Sequence, residues 1–330
     1  MRGLTIIVVV LTTLYSAYWF AARAAVTQGT AALIDTLRAE GWDVDYATLS
    51  TAGYPNRIDT TATDLRLADP SGLGWAAPLF QVFALSYRPN EVIAVWPPEQ
   101  VLTLADQSLT VTTDGLRASA RVGVSTRLPL DQVTAESGAL GIVSDNGWTL
   151  SLDRALLAFR QAGSDPTAYE AFAEAAMLAL PEPLLAALDP EGRQPLTVSR
   201  LRLDAGLIFD RPLDRFAGEG EAGGSAALTA LTLRDANIDW GDITLSARGA
   251  LTIDAAGVPE GRITLTATNW RALLELAAAA GAVTPEVAPT WAAMGETMSG
   301  GSESLDLPVT FADGMMSVGF IPLGPAPRLR

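Results

Sequence analysis

The chain has no cysteine, no histidine and no lysine; its 22 basic residues are all arginine. Without cysteine there is no disulfide, no thiolate nucleophile and no sulfur-bound metal. Without histidine the commonest general base near neutral pH and the commonest zinc or iron ligand are missing. Without lysine, Schiff-base chemistry and the phosphate-binding lysine of a P-loop are excluded. Carboxylate pairs, Ser and Thr hydroxyls, Tyr and Arg remain, and a calcium or magnesium site built from carboxylates alone stays open. The missing lysine reads as a compositional habit of the source genome rather than a functional device. The arginines form no cluster, and the formal net charge is −15. Nucleic acid, which needs a basic stripe to release counterions, is therefore not an expected partner.

Apolar sequence is plentiful. Of 330 residues 49% are hydrophobic, enough to bury the core of one large domain or two ordinary ones. The most apolar stretch comes first. From Gly3 to Ala22 no charge interrupts the chain, and Arg2 and Arg23 bound it. About 20 residues at 1.5 Å each cover the roughly 30 Å hydrocarbon layer of a membrane. Tyr15, Tyr18, Trp19 and Phe20 gather at its far end, where an aromatic belt sits. Ala22-Arg23-Ala24 has the small-x-small form of a signal-peptidase site, so a cleaved signal peptide is the alternative. The run exceeds the usual h-region of about 7–15 residues, which favours an uncleaved anchor over residues 1–23.

Charge suggests the orientation. Beyond Arg23 stand twenty arginines against all 37 acids, a balance of −17. Positive-inside logic places the N-terminus in the cytoplasm and residues 24–330 outside it. The expected location is the inner membrane, single-pass, with the bulk of the chain periplasmic.

Ala25 to Glu40 reads as a helix continuing the anchor, with Val26, Leu33, Ile34 and Leu37 on one face and Gly41 as its stop. Alternation predicts strands at Trp42–Tyr46, Ile58–Leu67, Val92–Trp96, Leu102–Leu104 and Leu109–Val111. Turn signals separate them, among them Asp69-Pro70-Ser71-Gly72, Arg88-Pro89-Asn90, Trp96-Pro97-Pro98, Asp114-Gly115 and Asp145-Asn146-Gly147. The Ala-, Leu- and Glu-rich stretches Asp153–Gln161 and Thr167–Leu180 predict helices. A turn with Pro181, Pro183 and Pro190 follows. Strands are expected again at Leu196–Phe209, Leu228–Leu233, Ile243–Ala247 and Ile263–Ala267. Helices then come at Trp270–Ala280 and Pro285–Met298, and strands at Leu305–Phe311 and Met315–Phe320. A polyproline-like tail spans Pro322–Pro327. Arg154-Ala155-Leu156-Leu157 recurs at Arg271-Ala272-Leu273-Leu274, and Ala175-Ala176-Met177 at Ala292-Ala293-Met294, both at an offset of 117. The offset suggests two similar strand-plus-helix units, 42–190 and 191–330, sharing one sheet.

No catalytic signature emerges. Gly218-Glu219-Gly220-Glu221-Ala222-Gly223-Gly224 lacks the flanking strand and helix of a dinucleotide fingerprint, and its two Glu would repel a pyrophosphate; a loop is expected there. Asp235, Asp239 and Asp242 lack the closing Glu of a calcium loop and read as turn acids. Among the eight Trp, those at 75, 96, 148, 240 and 270 fall at strand or turn positions and read as core rather than ligand stackers. The most distinctive local sequence is Gly53-Tyr54-Pro55-Asn56-Arg57. Gly53 permits an unusual backbone angle and Pro55 fixes the turn. Gly53, Tyr54, Pro55 and Arg57 are the candidate site residues, either as a recognition surface or as the turn that starts the main sheet.

The N-terminal anchor, Gly53-Tyr54-Pro55-x-Arg57, Leu85-Ser86-Tyr87-Arg88-Pro89-Asn90, Trp96-Pro97-Pro98 and Asp313-Gly314…Pro322-Leu323-Gly324 resemble an alphaproteobacterial family, the domain-of-unknown-function family numbered 2125. The resemblance covers nearly the whole chain and implies no activity. A weaker likeness, of Ile243–Leu251 followed by Gly257-Val258-Pro259-Glu260-Gly261, is to AsmA-like envelope proteins. Those are anchored in the inner membrane, and their long curved sheet holds lipid acyl chains.

The expected fold is α+β and mainly β: a long curved, mostly antiparallel sheet wrapping helices, with an N-terminal transmembrane helix. The expected function is a non-enzymatic envelope protein that binds or passes lipid, or another apolar ligand, in a sheet groove. The alternative is a scaffold or assembly factor for another envelope protein, with helices 153–190 and 269–298 as contact surface. A carboxylate-pair enzyme is the third reading. Expected partners are the inner membrane, lipid or a second envelope protein. No cofactor or metal is expected.

Overall fold

The computed structural model describes residues 1–217, 225–319 and 321–329. The glycine-rich run Gly218–Gly224 lies outside them. About 50% of the chain is strand and 21% helix, and the strand pairings are antiparallel. The chain forms two compact units, Met1–Arg121 with Ile142–Gly147, and Val122–Gly141 with Trp148–Arg330. These are not the units 42–190 and 191–330 suggested by the sequence offset.

The first unit begins with one uninterrupted helix, α1 (Arg2–Ala39), long and apolar enough to cross a membrane. Gly41 ends it. With φ of +91°, Gly41 donates its N–H to the Arg38 carbonyl at 3.1 Å while the Trp42 N–H reaches Leu37 at 3.0 Å. This double bond closure needs a left-handed residue, which glycine supplies without a Cβ penalty. The strands that follow are β1 (Asp43–Asp45), β2 (Thr48–Ala52), β3 (Arg57–Ala68), β4 (Gly74–Leu85), β5 (Arg88–Val95), β6 (Glu99–Thr103), β7 (Ser108–Thr113) and β8 (Arg117–Val122). β3 is the hub, pairing with β1 and β2 on one side and β4 on the other; β4 continues to β5 and β6. Val44, Ile58, Ala62, Ala77, Leu109 and Val111 are buried. The turn expected at Arg88-Pro89-Asn90 sits instead at Ser86–Tyr87, because β5 already starts at Arg88.

In the second unit β9 (Leu130–Ser137) precedes β10 (Leu140–Ser144), whose end belongs to the first unit. Then come β11 (Thr149–Leu152), β12 (Arg154–Gln161), β13 (Ala168–Ala179), α2 (Glu182–Leu188) and β14 (Thr197–Phe209). β15 (Leu228–Trp240), β16 (Ile243–Ile253) and β17 (Pro259–Thr268) lead into α3 (Trp270–Ala279) and α4 (Ala288–Ser299). β18 (Ser304–Ala312), β19 (Met315–Val318) and β20 (Ile321–Pro325) close the chain. Neighbours from β12 to β20 pair in chain order, and β9 adds to the free side of β12.

Several sequence expectations are corrected here. Asp153–Gln161 and Thr167–Leu180 are not helices: they form β12 and β13. Their Ala, Leu and Glu favour helix intrinsically, but Tyr169, Ala171, Ala173 and Ala175 alternate with Glu170, Phe172 and Glu174. That period of two fits a strand with a full ladder on each side, and tertiary pairing overrides local propensity. Arg154–Leu157 is therefore strand while Arg271–Leu274 is helix, and Ala175–Met177 is strand while Ala292–Met294 is helix, so the offset marks no structural repeat. The proline-punctuated turn holds the short α2, and the expected polyproline tail supplies β20, paired with β19.

Candidate functional site

The strands β12 to β18 lay their residues in rows. Ala155, Ala175, Leu201, Ile238, Leu245, Ala267 and Leu305 stand opposite one another in succession. Two residues along, Leu157, Ala173, Leu203, Ala236, Ala247, Leu265 and Leu307 form a second row. Because side chains alternate across a strand, both rows share one face, and that face is apolar throughout. A bulge in β15 preserves it. Between Leu233 and Ala236 one extra residue enters β15, so odd-numbered Leu231 and Leu233 share a face with even-numbered Ala236 and Ile238. Without that shift Asp235 and Asp239 would turn onto the apolar side.

The opposite face carries a ladder of charge. Arg154 meets Glu174 at 2.9 Å, Arg202 bridges Glu174 and Asp235 at 3.9 and 3.5 Å, and Arg248 reaches Asp235 at 3.1 Å. Asp239 pairs with Arg200 at 3.4 Å, and Asp242 accepts a bond from the Asn269 side-chain amide at 2.7 Å. The three aspartates thus serve ion pairs and a turn. Among the described residues no three carboxylates come together as a metal site.

The apolar face is covered unevenly. At the end of β16 to β18 next to α3 it is closed: Ala267, Trp270 and Leu305 form a buried cluster against which Leu245, Leu273, Leu274 and Leu307 pack. At another margin Tyr169 is buried, stacked on Phe159 at 5.1 Å and edge-on to Phe209 at 5.7 Å. Its hydroxyl accepts the Leu213 N–H at 2.9 Å, and burial pushes the phenol above its ordinary range. Between these covered margins the face is bare. Leu157 is 56% exposed, Leu203 38% and Ile238 41%. They line an open groove of about 440 Å³ with Ala155, Ala173, Leu245 and Leu265. That volume lies in the range of small-molecule sites, but its lining has almost no polar group to fix an orientation.

The turn at Gly53-Tyr54-Pro55-Asn56-Arg57 does something else: it clasps α1. The hydroxyls of Tyr15 and Ser86, 2.8 Å apart, reach the Pro55 carbonyl at 3.0 and 3.1 Å, and Ser86 also reaches Asn56 at 2.9 Å. Tyr18 donates to the Ser86 carbonyl at 2.6 Å, and Trp19 Nε1 to the Arg57 carbonyl at 2.8 Å. Ser16 and Tyr54 hydroxyls lie 2.8 Å apart. Trp19, almost wholly buried, meets the Tyr54 ring edge-on at 5.3 Å. Gly53 has φ of +109°, and a Cβ there would lie 2.8 Å from the Arg57 carbonyl oxygen, so only glycine fits. Arg57 pairs with Asp59 and lies over Phe83 at 5.3 Å. The structure therefore brings Gly53, Tyr54, Pro55 and Arg57 together with Tyr15, Trp19 and Ser86.

Sequence reading named the turn but not the role of Ser86, which is fully buried. Its signal was the segment Leu85–Asn90, which carries the same family resemblance as the turn. The family described as "Uncharacterized protein conserved in bacteria (DUF2125)" matches residues 19–327. The chain belongs to the DUF2125 family. No curated protein and no solved structure matches it. Both the clasping turn and the groove lie inside the part of this DUF2125 member that the family match covers.

Proposed function

We propose that this DUF2125 member is a non-enzymatic, inner-membrane-anchored envelope protein that binds or passes lipid, or a similar long apolar ligand, along the bare face of β12–β17. The open groove carries this reading. Leaving Leu157, Leu203 and Ile238 in water costs about 25 cal/mol for each Å² of apolar surface, a cost that an acyl chain would remove. Five strand spacings of about 4.8 Å give roughly 24 Å across β12–β17. One leaflet of a roughly 30 Å hydrocarbon layer is about 15 Å, so an extended acyl chain fits that width. A lining nearly without hydrogen-bonding groups suits a chain that slides rather than a ligand fixed at one point. α1 supplies the membrane, and the acidic remainder beyond Arg23 supports a periplasmic bulk.

Lipids extracted with the purified full-length protein and identified by mass spectrometry test the reading. The expected result is bound lipid in the native chain and several-fold less in a Leu203→Glu/Ile238→Glu variant that still folds. Equal lipid in both, or a stoichiometric protein partner occupying the groove, would overturn it.

A further inference from the structure

The charge-free run Gly3–Ala22 is just long enough for a bilayer, yet its last part is not free. From Tyr15 onward α1 is bonded to the turn 53–57 and to Ser86. Only Gly3–Leu14 stands clear, about 12 residues or roughly 18 Å. That is some 12 Å short of the hydrocarbon layer, with the charge of Arg2 bounding the run at its other end. Arg23 is itself held to the sheet, its Nε donating to the Thr51 carbonyl at 2.8 Å.

We propose that the sheet end made by the turn 53–57 and the turn Ser86–Tyr87 is seated in the membrane beside α1, completing the span that the free helix cannot make alone. The inference rests on the reading of α1 as a membrane anchor. Two independent features fit it. First, irregular backbone at membrane depth must have its polar groups satisfied from within. Here the carbonyls of Gly53, Pro55, Asn56, Arg57 and Ser86 each accept a bond from the protein. Second, the surface of this end is aromatic. Tyr54 is 50% exposed and Tyr87 63%, beside Tyr18 and Phe20 of the helix, the residue types that collect at bilayer interfaces. The exposed Arg88 has the length to lift its charge toward headgroup phosphates, while the Arg57 guanidinium lies over Phe83 with its charge paired to Asp59.

The chain lacks cysteine, so single cysteines report position without background. The test places nitroxide labels on the full chain at Asn56→Cys and Tyr87→Cys at the sheet end and at Val8→Cys in the free helix. A fourth, Asp106→Cys, stands at the opposite end of the same strands, where Thr103 pairs with Gly74. In vesicles of phosphatidylethanolamine and phosphatidylglycerol, accessibility to oxygen relative to a water-soluble nickel chelate gives the depth. The expected ratio at 56 and 87 is several-fold above that at 106 and approaches that at 8. Labels at 56 and 87 that match 106, with 8 in lipid, overturn the seating and leave the anchor standing. An aqueous label at 8 overturns both.

Discussion

The same sheet face meets two fates in the second unit. Over β16–β18, Ala267 and Leu305 vanish beneath Trp270 of α3, while in the same two rows Leu203 and Ile238 lie open. The chain has the means to cover apolar strands and spends it on part of the face. A protein that needed only a core would extend the cover, since every exposed methylene there costs about 0.8 kcal/mol relative to burial. The contrast separates apolar residues buried beneath a helix from apolar residues left in water, and substitutions can break it.

The largest effect belongs to the covered margin. Trp270→Ala removes a buried indole that also donates to the Ser302 carbonyl at 3.1 Å. The expected loss is about 3–5 kcal/mol, read as a large fall in the thermal unfolding midpoint. Next comes the clasp in the first unit. Ser86→Ala leaves the Tyr15 hydroxyl without one partner and is expected to cost about 1–3 kcal/mol, measured by denaturant unfolding in micelles. On the bare margin Leu203→Glu should change stability by less than about 1 kcal/mol, since the side chain is already in water, yet it should remove bound lipid. Smallest is the charged face: Arg248→Ala breaks an exposed pair with Asp235, worth under about 1 kcal/mol, and should leave lipid content unchanged. A Leu203→Glu variant as unstable as Trp270→Ala would erase the distinction between the two margins.

Much of this was legible in the sequence. The charge-free run ending in aromatics predicts α1, and Gly41 marks its end at the residue where the helix stops. Strand alternation and turn signals mark most of the first unit. β12 and β13 were not legible because alanine and glutamate speak for helix, and their alternation gains meaning only when the rows on both sides are known. The β15 bulge hid the continuation beyond Leu233, since one extra residue reverses which positions look inward. No sequence signal singles out the residues of the groove: Leu157, Leu203 and Ile238 are ordinary apolar residues until register lines them up. The turn 53–57 stood out for its glycine and proline, whereas its partner Ser86 lay 30 residues away in sequence and joined it only through β3–β4 pairing.

The central claim is that the bare face touches lipid in the cell. A photoreactive amino acid placed in turn at Leu203 and at Arg248, followed by irradiation of living cells and mass spectrometry of the purified chain, addresses it directly. The account predicts lipid adducts at position 203 and none above background at 248. Adducts at 203 that are protein rather than lipid, or equal lipid labelling on both faces, would contradict it.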